Sequence, residues 1–314
     1  MYHRIMNADS CRGLFVRVAV WLIAATTIAF CLSGYFTHYH VKLYKDYEEV
    51  LTDNWDEAEE GDFDAYERLL VCPVTRTDDI RIACVGDSIT RGNGSFAEGV
   101  GGHEGAYERG NYPAELDAML NTQFPDKNVT ARNYGVSGAQ TLIAGADLPY
   151  FHTKTHLLAV AFRPNVLVVM LGTNDAKVTT WNDATRDQFK REYLRLLMSF
   201  SYRYGCRPQT WLMAAPPVIK DIFGVSGKAL HQDVNPTIRN TIAHPRRKNM
   251  PLIDMEELLA KDKTNNFYID GKEDGDHGDG LHPCLVGTQR MARAVYDHLK
   301  PWITNLPVNG TAPF

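Results

Sequence analysis

Five short apolar runs, at residues 80–85, 129–134, 166–171, 210–215 and 251–255, recur along the chain with stretches long enough for a helix between them. Parallel strands need a long crossover, which packs as a helix over a face of the sheet. The intervals contain helical periodicity at 113–124 and 186–204, with further runs at 235–243 and 285–303. In the last, Val286, Met291, Val295 and Leu299 are expected to form an inward stripe. The pattern predicts an α/β domain with a doubly wound parallel sheet, whose ligands bind along the carboxyl edge of the strands.

Two segments at opposite ends of this pattern carry chemistry. The apolar run Ile82-Ala83-Cys84-Val85 leads directly into Gly86-Asp87-Ser88-Ile89-Thr90, and Asp279-Gly280-Leu281-His282-Pro283 comes nearly two hundred residues later. A serine hydroxyl is a weak nucleophile until an imidazole takes its proton and a carboxylate holds that imidazole in the right tautomer. Ser88, His282 and Asp279 supply the three groups. A serine ahead of a helix is also a common N-cap, so Ser88 alone would decide nothing.

Between them lie Asn133-Tyr134-Gly135-Val136-Ser137-Gly138 and Gly172-Thr173-Asn174-Asp175. A glycine N–H and an asparagine amide can donate to the negative oxygen of a tetrahedral intermediate. Taken in order, Gly86-Asp87-Ser88, Gly135 in its turn, Gly172-Thr173-Asn174-Asp175 and Asp279-x-x-His282-Pro283 resemble the four signature blocks of the SGNH (GDSL-like) hydrolases, over roughly residues 80 to 300. The resemblance implies a flavodoxin-like sheet, Ser88 as nucleophile, His282 as general base and Asp279 as its orienting acid. It implies an oxyanion hole from the Ser88 N–H, the Gly135 N–H and the Asn174 side chain, and no metal or organic cofactor. Ile89 stands where the family has leucine, a change that conserves volume. The Gly-x-Ser-x-Gly elbow of the α/β-hydrolases is absent at Ser88.

Gly172 to Lys177 with Trp181 close behind, together with Ala214-Ala215-Pro216-Pro217, resembles members acting as carbohydrate O-acetylesterases. Trp181 and Asp87 are accordingly substrate-binding candidates, although a tryptophan is more often a packing residue. The expected substrate is an acyl ester, an O-acetyl group on carbohydrate before the acyl chain of a lipid. A lysophospholipase or thioesterase is the alternative, and a catalytically weak glycan-binding protein the third reading.

The acidic loop around residues 270–282 repeats its Asp-x-x-His spacing, since Asp274 and His277 match Asp279 and His282. Pro283 and the helical run beyond it favour His282. The loop's carboxylates do not have EF-hand spacing, and His103, His152, His156, His231 and His244 make no metal-ligand arrangement, so no metal is assigned.

Residues 18–36 carry no charge, enough for a bilayer-spanning helix of about 20 residues. The apolar region of a cleaved signal peptide is usually shorter, about 7 to 15 residues. The organisation expected is a tail at 1–17, a transmembrane signal anchor at 18–36, an acidic spacer at 37–78, the catalytic domain at 79–305 and a tail at 306–314. That arrangement describes a single-pass type II membrane protein with a lumenal or extracellular domain, or a secreted one if the segment is cleaved. Asn128-Val129-Thr130, Asn309-Gly310-Thr311 and Asn93-Gly94-Ser95 would be glycosylation acceptors there. Of six cysteines, Cys72, Cys84, Cys206 and Cys284 lie beyond the anchor and permit three pairings, with Cys84 in the apolar strand a simple core residue. A net charge of −5 and a basic patch of only Arg246-Arg247-Lys248 speak against a nucleic-acid partner.

Overall fold

The computed structural model describes residues 60–74, 78–94, 110–201, 206–273 and 278–307. Five strands, β1 (Ile80–Gly86), β2 (Val129–Gly135), β3 (Val166–Met170), β4 (Gln209–Ala214) and β5 (Leu252–Asp254), form one sheet in the order β2-β1-β3-β4-β5. Every pairing is parallel. This is the flavodoxin-like order, which reverses direction at β1 and opens a crevice beside it.

The expected runs became strands because both faces of the sheet are covered. Ile82, Cys84, Val166, Val168, Met170 and Met213 point into a cluster with Leu116 and Leu120 of one helix and Met291, Val295 and Leu299 of another. The alternate residues Ala83, Val85, Leu167, Val169 and Leu212 face the other way and are also fully buried. A strand buried on both sides reads as a continuous apolar run.

The main helices are α1 (Glu60–Arg68), α2 (Ser88–Arg91), α3 (Tyr112–Gln123), α4 (Lys154–Ala161), α5 (Asp183–Ser199), α6 (Met255–Ala260), α7 (Lys263–Phe267) and α8 (Leu285–Thr304). The run expected at 235–243 is part of a longer helical segment from Gly227 to Ile242, which contains the π-helical stretches Leu230–Val234 and Ile238–Ile242. In α8 the inward stripe begins at Gly287 and Thr288, not at Val286, which is 44% exposed. Val286 lies five residues before Met291, a spacing that leaves the face kept by i−3 and i−4.

The spacer expected at 37–78 ends earlier than its acidity implied. Helix α1 buries Phe63 and Tyr66 against the domain. Two buried arginines clamp it: Arg247 pairs with Asp64 at 2.6 Å, and Arg207 donates to the Glu67 carbonyl at 3.0 Å. The chain leaving α1 runs beside residues 206–207, Cys72 N–H meeting the Arg207 carbonyl at 2.8 Å, and Cys72 and Cys206 form a disulfide there. Cys84 and Cys284 are free and buried. The apolar segment 18–36 lies outside the described residues, as do Asn309, His103, Asp274 and His277. Among the described residues no helix is long and apolar enough to cross a membrane.

Candidate active site

Asp87 ends β1 by capping the single turn of α2, its Oδ1 accepting the Ile89 N–H at 2.9 Å. The capping role considered for Ser88 thus belongs to its neighbour. Ser88 occupies the first helical position, where an N–H has no intrahelical acceptor. Asp87 is wholly buried beneath this turn, and burial pushes its carboxyl up while the Ile89 N–H pulls against it. It cannot touch a substrate, which corrects the expectation that it binds one.

The loop from Gly278 to Pro283 brings the other two groups to the same edge. One carboxylate does two jobs in it. Asp279 Oδ1 accepts the N–H groups of Leu281 and His282, both at 2.8 Å, and so shapes the turn. Its Oδ2 accepts from His282 Nδ1 at 2.6 Å. A carboxylate can only accept, so Nδ1 carries the proton and Nε2 of the neutral ring is an acceptor. Ser88 Oγ donates to that nitrogen at 2.8 Å. Burial raises the Asp279 carboxyl, but the His282 ring and the two backbone N–H groups outweigh it and hold the pKa below the usual range. Ser88 and His282 are 7% and 8% exposed, sheltered yet open to a small group.

Across from Ser88, Asn174 sits on the loop after β3. Its amide donates to the Ala139 carbonyl at 3.1 Å, and Gln140 Nε2 donates to the Asn174 carbonyl at 3.2 Å. Asp175 completes the lock, being wholly buried and accepting the N–H groups of Thr141 at 3.0 Å and Leu142 at 2.8 Å. Burial pushes its pKa up to about 7, against those two donors. Asp175 lies inside the block read from sequence, but its partners lie more than 30 residues away, and so its anchoring role was not legible.

Gly135 does not serve as expected. Its N–H is taken by Asn133 Oδ1 at 2.9 Å. A Cβ there would strike the backbone of Arg91 and come within 2.8 Å of the Asp87 carbonyl, so the glycine is needed for close packing of β2 under α2. Three residues on, Gly138 has φ +81° with open space where a Cβ would be. It follows Ser137, whose hydroxyl donates to Asn93 Oδ1 at 3.2 Å beside α2, and precedes Ala139, which accepts the Asn174 amide. The turn at Gly138, in place of Gly135, therefore spans from the Ser88 helix to Asn174.

Trp181 packs edge-on against Phe189 at 5.4 Å between ring centroids, as a core-facing residue of the loop before α5. It lines a cavity of about 450 Å³ together with Val178, Arg186, Lys228 and Asp233. His156 is buried against Phe151 and Phe200, and burial pushes its pKa down to about 4, a packing residue of α4. His231 sits on Glu256 at 2.8 Å.

The chain is 26% identical over 244 residues to an acetylxylan esterase from Xylanibacter ruminicola, covering 73% of this chain and 45% of that protein. It thus spans less than half the length of this curated relative. Among solved structures, a GDSL-like lipase-type protein from Parabacteroides merdae superimposes with a TM-score of 0.50 at 17% identity, over 73% of this chain and 97% of the other. Est24, a carbohydrate acetylesterase from Sinorhizobium meliloti, superimposes with a TM-score of 0.49 at 16% identity, over 71% and 100%. Residues 84–290, more than half of the 314, match the GDSL-like lipase/acylhydrolase family. With its β2-β1-β3-β4-β5 sheet and with Ser88, Asn174 and His282 gathered at one edge, the chain belongs to that family of SGNH ester hydrolases.

Proposed function

We propose that this protein is a membrane-tethered serine esterase that removes O-acetyl groups from carbohydrate. The observation that carries the chemistry is the continuous hydrogen-bonded chain Ser88–His282–Asp279, at 2.8 and 2.6 Å. Ser88 Oγ attacks the ester carbonyl as His282 Nε2 takes its proton, and Asp279 stabilises the imidazolium that forms. The developing oxyanion is held by the Ser88 N–H, the Gly138 N–H and the second proton of the Asn174 amide. As the C–O bond breaks, the imidazolium gives its proton to the departing sugar oxygen, which leaves as a hydroxyl. Water, deprotonated by the same imidazole, releases acetate from Ser88.

The acetylxylan esterase relative supports the acetyl and carbohydrate parts of this reading. The uncharged run at residues 18–36 supports the tether, with the domain on the lumenal or extracellular side. A disulfide between Cys72 and Cys206 fits such an oxidising compartment.

The test is hydrolysis of aryl esters from acetyl to long-chain acyl by the full chain in detergent, with Ser88→Ala alongside. Acetyl preference lost in Ser88→Ala, followed by acetate release from acetylated xylo-oligosaccharide, is expected. A preference for long acyl chains would move the substrate to lipids. Activity unchanged in Ser88→Ala would overturn the mechanism.

A further inference from the structure

We infer that Phe223 is a substrate-contacting residue that selects sugar esters, its ring taking the apolar face of the pyranose that carries the O-acetyl group. The inference rests on the carbohydrate esterase reading above and extends it to one residue.

Phe223 is 64% exposed, and its ring centroid lies 6.1 Å from that of His282. A single exposed aromatic needs no explanation. Its backbone does. Phe223 has φ +55° and Gly224 φ +77°, and the Val225 N–H closes the turn on the Ile222 carbonyl at 3.0 Å. Positive φ at both central positions is the pattern of a type I′ turn, which glycine, asparagine or aspartate enter at low cost and a bulky side chain does not. The strained conformation places an apolar ring outside the fold, where burial returns nothing. Strain of this kind persists when the surroundings impose it, and it clusters at ligand-binding positions.

The surroundings do impose it. On one side the turn is joined to the loop carrying Asn174: Val178 N–H donates to the Gly224 carbonyl at 3.0 Å, and Ser226 N–H to the Ala176 carbonyl at 3.0 Å. On the other side the Ile219 N–H donates to the Gly280 carbonyl at 2.8 Å, inside the Asp279–His282 loop. The turn thus links the segment that bears the oxyanion amide to the segment that bears the base, with an exposed ring beside the buried imidazole of His282. Val178, 71% exposed, donates its N–H to this turn and is a second exposed apolar residue on it. Sugar rings present an apolar C–H face between polar edges, and a rigid aromatic is the side chain that binds such a face at low entropic cost.

The experiment measures kcat and KM of the full chain for acetylated xylo-oligosaccharide, 4-nitrophenyl acetate and ethyl acetate, which has no ring to stack. Variants are Phe223→Ala, Phe223→Gly and Phe223→Tyr, and melting temperature is recorded for each. Phe223→Ala and Phe223→Gly are expected to lose roughly tenfold or more in kcat/KM on the oligosaccharide, mainly through KM, as loss of one good apolar contact does. They should retain ethyl acetate activity within about twofold, since nothing in the Ser88–His282 chain changes. Phe223→Tyr should keep the oligosaccharide activity. Phe223→Gly, relieved of its backbone strain, should melt no lower than the wild type, which separates lost contact from lost fold. Equal losses on all three esters would overturn the inference by showing that Phe223 acts through His282, and so would no loss on the oligosaccharide. A wild-type enzyme that cleaves ethyl acetate but no sugar ester would sink the underlying carbohydrate reading, visible before any variant is made.

Discussion

The side-chain amide of Asn174 donates one of its protons to the carbonyl of Ala139 at 3.1 Å, and an amide carries a second proton that this bond does not use. The same loop is held independently by Gln140 on the Asn174 carbonyl and by Asp175 on Thr141 and Leu142. Asn174→Ala therefore removes a donor without releasing its loop. Turnover is expected to fall by about 10²–10³-fold, with a small change in melting temperature. Steady-state kinetics beside thermal unfolding on the same preparation checks this, and unchanged kcat in a folded variant would remove Asn174 from the oxyanion hole.

Gly135 and Gly138 separate packing from chemistry. Gly135→Ala drives a methyl into the Arg91 backbone and the Asp87 carbonyl, which cannot move without displacing Ser88, so low solubility or a sharply lowered melting temperature is expected. Gly138→Ala meets no atom, and its cost is the positive φ, about 1–2 kcal/mol. The folded Gly138→Ala protein should lose about tenfold or more in kcat as its N–H is displaced. Full activity in Gly138→Ala would refute the oxyanion role given to this turn.

Asp175 sets a direction for the pH dependence of stability. Its pKa in the folded protein is pushed up to about 7 by burial. The unfolded chain gives up the same proton near the ordinary value of about 3.9. Between these limits the folded state binds more protons than the unfolded, so the contribution is greatest below about pH 4 and is lost as pH rises to about 7. Asp87, also raised by burial, adds a slope of the same sign. Melting curves across this window should show a decline that Asp175→Asn reduces only in part. The variant should also be less stable throughout, because an amide turns an N–H toward one of the two backbone donors. A slope unaltered by Asp175→Asn would count against the assignment.

The Cys72–Cys206 disulfide spans 134 residues of sequence. Closing a loop of that length removes much unfolded-state entropy, worth about 2–5 kcal/mol. Reduction, or Cys72→Ser, should lower the melting temperature by about 5–15 °C. Ester hydrolysis at room temperature should persist, because the bond lies by Arg207, before β4, while the Ser88–His282 chain sits at the opposite, carboxyl edge of the sheet. Loss of activity upon reduction, without unfolding, would contradict that placement.

Local signals carried the strands and the three side chains Ser88, Asp279 and His282 that the structure joins by hydrogen bonds. A strand buried on both faces must be apolar throughout, and a nucleophile at the end of such a strand needs the small residues that flank it, so both are written in contiguous sequence. The Asp279–His282 pair is three residues apart, and the backbone turn alone brings carboxylate and ring together. What the tertiary structure decided are relations between segments far apart. Asn133 can claim the Gly135 N–H in any turn, yet only the packing of β2 under α2 makes that glycine a spacer. Asp87 reads as a free carboxylate until β1 ends beneath its own helix. Acidic α1 reads as a solvated spacer until Arg247, some 180 residues on, pairs with Asp64 and Arg207, some 140 residues on, donates to the Glu67 carbonyl. Phe223 has no sequence signal, since its strain and its nearness to His282 come from hydrogen bonds to two loops that meet only when the sheet brings their strands to one edge.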